Sequence, residues 1–190
     1  MRVISGEFGG RPIRTASGLP GYRPATDKVR QAIFSMLEAR EVDRPRVRAI
    51  DMFAGSGSLG LEALSRGAAE VWFVEKSPGA VRVIERNLRE LGVSGKRCKV
   101  LRRDVLALLK RGPGTPFDLA FVDPPYGRQL ARPSLERALA NSWLDKGALL
   151  VAEIESDCGF DPAGLAGTTL LVNRTYGQTR ICIWLAKDRK

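Results

Sequence analysis

Asp123-Pro124-Pro125-Tyr126 closes an apolar run with an acid, two prolines and an aromatic ring. Proline fixes its own φ and biases the residue before it toward extended backbone, so this loop is stiff. In such a loop Asp123 and the Pro124 carbonyl can converge on one exocyclic amino group. Tyr126 can stack on the ring that carries it, with Pro125 alongside. The arrangement suits a poor nucleophile. The lone pair of an aromatic amine is delocalised into its ring. Two acceptors that hold both N–H groups turn the nitrogen toward tetrahedral geometry and aim the pair at an electrophilic methyl group. Orientation and electrostatics then supply most of the rate, with no covalent enzyme intermediate. Whether Asp123 also takes the proton stays open, because the amine becomes strongly acidic only once it is methylated. The plain alternative is a rigid turn after a strand.

About seventy residues earlier, Asp51-Met52-Phe53-Ala54-Gly55-Ser56-Gly57 reads as a strand opening into glycines. Gly55 and Gly57 remove side chains where backbone must approach a ligand, with Phe53 and Ala54 in the same turn. A GxG by itself fits a structural strand-to-helix turn equally well. Glu75 changes that weighing. It ends the next strand about twenty residues on, followed by Lys76, where an acid can accept hydrogen bonds from ribose hydroxyls. Asp51, an acid inside the strand end, is not typical of a nicotinamide site and suits a cofactor with a cationic amino group. Asp104 either caps the helix that it begins or accepts an adenine amino group beside the Val105 N–H; the two roles are compatible.

The elements around these residues alternate. After short β-like pieces at 2–4 and 11–14, Thr26 is a plausible N-cap for a helix whose buried face carries Val29, Ala32, Ile33, Met36 and Leu37. Strands are expected at 47–53, 71–75, 98–101, 117–122 and 148–154, with helices at 59–66, from Ser77-Pro78 to Gly92, from Asp104 and at 135–141. Residues 168–176 and 179–184 flank Gly177 as an antiparallel hairpin. The fold class is therefore α/β, with a mostly parallel sheet and an antiparallel finish. An N-terminal β-hairpin arm over 1–24 and a main domain over 25–190 are expected.

Composition narrows the chemistry. The 190 residues carry a net charge of +10, which favours a polyanionic partner. There is no histidine, which excludes Ser-His-Asp triads, His-ligated zinc and imidazole acid–base catalysis. Cys98, Cys158 and Cys182 form no CxxC and read as reduced structural thiols. No metal is expected. Without a signal-like amino terminus or an apolar run of about 20 residues, a cytoplasmic protein is expected.

Asp51–Gly60, Glu75, Asp104 and Asp123–Tyr126 together resemble class I, S-adenosylmethionine-dependent amino-methyltransferases. The resemblance narrows with Met1–Gly6, Arg23-Pro24-Ala25-Thr26-Asp27-Lys28-Val29-Arg30 and the run Asp51–Ala68. Across nearly the whole chain these are similar to the bacterial small-subunit rRNA guanine-N2 methyltransferases. The resemblance implies a Rossmann-like sheet of seven strands, S-adenosylmethionine as donor, and one guanine of 16S rRNA in an assembled or nearly assembled small subunit as acceptor. A monomer is expected, and the resemblance implies that Asp51, Phe53, Ala54, Gly55, Gly57, Glu75, Lys76, Asp104 and Val105 hold the cofactor. Asp123, Pro124 and Tyr126 would be catalytic, with Arg23, Thr26, Asp27, Arg30 and Pro125 toward the substrate. Ala25 and Gln31 depart from the family's usual threonine and glutamate, which bears on fine RNA contacts. Arg2, Arg11, Arg14, Arg97, Lys99, Arg102 and Arg103 are candidates to track phosphates. Two other readings compete: adenine-N6 methylation of DNA or RNA, since the tetrapeptide serves either amine, and a non-catalytic assembly factor.

Overall fold

A computed structural model describes residues 1–16, 27–40 and 47–188. Helix α1 (Asp27–Glu38) leads into the alternating body: β1 (Arg48–Met52), α2 (Ser58–Ser65), β2 (Glu70–Glu75), α3 (Pro78–Leu91), β3 (Cys98–Arg102), α4 (Val105–Leu108), β4 (Phe117–Val122) and α5 (Ala131–Ala140). Strands β5 (Leu144–Glu155), β6 (Thr168–Tyr176) and β7 (Thr179–Ala186) complete it. The seven strands lie in the order β3-β2-β1-β4-β5-β7-β6, with only β7 antiparallel to its neighbours. The chain runs outward from β1 to β3 and then crosses to β4 on the other side of β1. Ligands of open α/β sheets bind at that reversal, beyond the strands' carboxyl ends.

Alternation sorts the sheet into two apolar faces. Ala49, Phe73, Leu119, Phe121 and Val151 pack with α1, α2 and α3, whereas Ile50, Met52, Val74, Val122 and Ala152 pack toward α5 and the Trp143–Trp184 side. Residues 1–16 fold back on themselves, with an antiparallel bridge between Arg2 and Pro12, and bury Val3, Phe8 and Ile13 in the first cluster. They cover α2, every residue of which is consequently buried. No described helix is long and apolar enough to cross a membrane.

Local chemistry explains the boundaries. Ser77 caps α3, accepting from the Ala80 N–H, Pro78 opens it, and Gly92 closes it at φ 74°. Two elements differ from the sequence expectation. Helix α5 starts at Ala131, four residues early, because Pro133 falls in its first turn, where a missing N–H costs nothing. Strand β5 starts at Leu144 and passes a register irregularity opposite Phe117–Leu119, with Gly147 at φ 78°. On α1 the buried face is Val29, Arg30, Ile33, Phe34 and Leu37. Ala32 and Met36 lie at its margin because Phe34 turns inward onto Phe121, ring centroids 5.6 Å apart. The expected cap Thr26 lies outside the described residues.

Candidate active site

The glycine loop curls under positive φ at Phe53 (62°), Gly55 (59°) and Gly57 (80°). Phe53 is not glycine, and strain of this kind concentrates where a loop is held for a ligand. Two acids hold the loop from beneath. Glu75 Oε2 accepts the Gly55 N–H at 3.0 Å, and its Oε1 accepts the Ser77 N–H at 2.8 Å. Asp51 Oδ2 accepts the Gly60 N–H at 2.9 Å. Gly60 is fixed by packing: a Cβ there would lie 2.3 Å from Phe73 Cε1, so α2 can sit this close to β2 only with glycine at that point.

Asp51 is 1% exposed. Burial pushes its carboxyl up to about 8; the Gly60 N–H opposes the shift and the Glu75 charge adds to it. Asp104 caps α4, accepting the Ala107 N–H at 2.9 Å, and Val105 behind it is buried. Lys76 is exposed at the rim and Ala54 is buried within the turn.

Asp123-Pro124-Pro125-Tyr126 leaves β4 beside β1, and the Asp123 N–H still reaches the Met52 carbonyl. Asp123 is held well above the usual carboxylate range, first by burial and then by the Glu153 and Asp51 charges. Tyr126 is tied down: its hydroxyl lies 2.9 Å from Thr179 Oγ1 at the start of β7. Pro124, Pro125 and Tyr126 line a cavity of about 470 Å³ together with Ile154, Cys158 and Phe160. The sheet edge thus brings the glycine loop, Glu75, Asp51 and the Asp123 turn together. Asp104 joins them from the next strand end.

Several expectations for basic residues are corrected. Arg30, expected at the substrate entrance, is fully buried. It donates to the Arg2 carbonyl, pairs with Asp27 at 3.2 Å and faces Glu62 at 3.8 Å, so it clamps residues 1–16 to the body. Arg11 donates to the Leu91 and Glu90 carbonyls, and Arg97 to Glu7 and to the Leu64 carbonyl, so both brace residues 1–16 and their surroundings. Lys99 lies over the Trp72 ring, 4.2 Å from its centroid. Asp27 remains exposed, whereas Arg23 and Thr26 lie outside the described residues. Sequence reasoning missed Glu153, Thr179 and Glu62. Glu62 had no signal beyond an acid inside an apolar helix, and Glu153 only an acid inside an apolar strand.

A family model described as "Conserved hypothetical protein 95" matches residues 1–185. The chain is 35% identical over 178 residues to Ribosomal RNA small subunit methyltransferase D of Escherichia coli (strain K12), covering 94% of this chain and 86% of that protein. It is 36% identical over 163 residues to the protein of the same name from Haemophilus influenzae, covering 83% and 80%. A solved Escherichia coli chain with a provisional methyltransferase name is 32% identical, with a TM-score of 0.83 over 100% of this chain and 99% of that one.

Proposed function

The chain belongs to the conserved hypothetical protein 95 family, and from that membership we propose that it transfers a methyl group from S-adenosylmethionine to the exocyclic N2 of a guanine in 16S rRNA. The observation that carries the reading is the meeting, at one switch point, of an acid-braced glycine loop and the rigid Asp123 turn.

The residues fit the cofactor. Each Glu75 oxygen accepts one backbone N–H and keeps a lone pair for a ribose hydroxyl. Asp51 lies under the loop for a cationic amino group, and Gly55 and Gly57 clear the approach. The Val105 N–H, in the first turn of α4, has no partner within its helix and suits an adenine nitrogen, with the Asp104 carboxylate beside it. S-adenosylmethionine, when bound, supplies an electrophilic methyl on a sulfonium. The rest belongs to the chain. Asp123 and the Pro124 carbonyl hold the two N–H groups of the acceptor amine, and Tyr126, anchored through Thr179, sets the plane of the base. Held this way, the amine nitrogen would face the methyl group that the cofactor would supply, with the Asp123 carboxylate beside the N–H that must be lost after transfer.

RNA as partner draws support from charge. The net charge is +10, and Arg14, Arg82, Arg86 and Arg89 line an open groove of about 860 Å³ along α3. The target base must leave its stack to reach Asp123, as base-modifying enzymes require. We take the substrate to be the assembled or nearly assembled small subunit and the enzyme to act as a monomer.

The test is methyl transfer from labelled S-adenosylmethionine to small subunits and naked rRNA from cells lacking this protein, followed by nucleoside mass spectrometry. N2-methylguanosine on the subunits is the expected product. N6-methyladenosine would move the acceptor to adenine, and no transfer with intact cofactor binding would remove the catalytic reading.

A further inference from the structure

Glu153 has no place in the motifs, yet the fold sets it beside Asp123. Val122 and Ala152 are paired across β4 and β5, so the next residues, Asp123 and Glu153, stand level on adjacent strands. Phe121 and Val151, two residues earlier, both belong to the face packed by α1 and α2, and the pleat returns Asp123 and Glu153 to that same face. Glu153 is 5% exposed, and its Oε2 is buried without a hydrogen-bond partner. Across β7 it meets Ile181, and the neighbouring Arg180 is spent on Asn173 and on the Phe160 carbonyl. Among the described residues, then, no cation or donor is assigned to this oxygen.

A buried carboxyl oxygen left unpaired is expensive, and such a group in a native site awaits a donor. We propose, resting on the reading of guanine N2 as acceptor, that Glu153 accepts the guanine N1–H while Asp123 holds the adjacent amino group. Guanine offers N1–H and N2–H₂ as neighbouring donors on one edge. Adenine offers a bare N1 beside its amine, which would set lone pair against lone pair at Glu153. The two level carboxyls are therefore a reader of the Watson–Crick edge, the part of a flipped base that such enzymes inspect. Burial lifts Glu153 to about 7, and its charge in turn raises Asp123. Both effects are relieved when donors arrive. The selection is made by Glu153 as a carboxylate, since a protonated carboxyl would offer an O–H to a bare N1, and the guanine N1–H itself favours the charged form.

The experiment uses small subunits reconstituted on 16S rRNA with 2-aminopurine in place of the target guanine. This base keeps the amine and loses the N1 proton. Single-turnover methyl transfer should favour guanine by about 100-fold or more in the wild-type enzyme, since sites built around a donor reject analogues lacking it. Because 2-aminopurine also lacks the O6 atom, the decisive reading is Glu153→Gln. Its amide N–H₂ can donate to the bare N1, so the guanine preference should fall at least about tenfold, with cofactor affinity held. Equal wild-type rates on the two bases would overturn the proposal without recourse to a variant. So would a Glu153→Gln enzyme that slows on both bases by one factor, the mark of a residue that only positions Asp123. Wild-type failure on guanine itself would fall first on the acceptor reading and would take this inference with it.

Discussion

Asp123 and Glu75 divide the work at the residue scale, and single substitutions should separate them. Asp123→Ala should abolish methyl transfer while cofactor affinity stays near wild type, because Asp123 is assigned to the acceptor amine; residual wild-type turnover would remove that assignment. Glu75→Ala should weaken cofactor binding by about 1–3 kcal/mol, the scale of hydrogen bonds to a charged group. It also frees the Gly55 and Ser77 amides, so calorimetry should be paired with a thermal midpoint. Both residues were legible in the sequence because each ends an apolar run at a turn with special backbone needs. Glu153 was not legible. Its meaning comes from standing level with Asp123, and strand register is a property of two segments about thirty residues apart. Arg30 was misread for the opposite reason. An arginine on a helix defaults to the surface, and only the position of Glu62 on another helix explains its burial.

At the scale of elements, α2 is the joint between residues 1–16 and the sheet. Glu62 accepts the Ile4 N–H at 2.7 Å, the Ser5 N–H at 3.1 Å and Arg66 Nε at 2.6 Å, and faces Arg30. Ser65 adds a second clasp, accepting the Phe8 N–H at 2.9 Å. Replacing Glu62 by alanine takes a buried carboxylate from Arg30 and Arg66, which keep only Asp27 and Glu38 as charged partners, and leaves two backbone donors unpaired. Glu62→Ala should cost about 3–5 kcal/mol, the scale of breaking a buried ion pair, read from the denaturant midpoint. Amide exchange at Ile4 and Ser5 should lose its protection as well. The succession of strands and helices was readable in outline from the alternation of apolar runs. This clasp was not, because it joins residues nearly sixty positions apart through one acid.

The whole molecule carries the signature of its buried acids. Asp51 rises from 3.8 to about 8 and Glu153 from 4.5 to about 7 on folding. Between those limits the folded chain holds more protons than the unfolded one, so stability should fall as pH rises from about 4 to about 8 and then level. Thermal midpoints measured from acidic to alkaline pH at fixed ionic strength should trace that decline, and a double Asp51→Asn, Glu153→Gln variant should flatten it. A rising profile over the same window would contradict the burial of these groups. The order β3-β2-β1-β4-β5-β7-β6 has a consequence in time as well as in space. Synthesis delivers β1, β2 and β3 first, and they can pair among themselves, whereas the other edge of β1 must wait for β4. Until Phe117–Val122 leaves the ribosome, β1, which becomes an inner strand of the sheet, is an open apolar border carrying Ala49, Ile50 and Met52. Borders of that kind recruit other chains. The nascent protein is thus most exposed to misassembly midway through its own translation, before the Asp123 turn has been made.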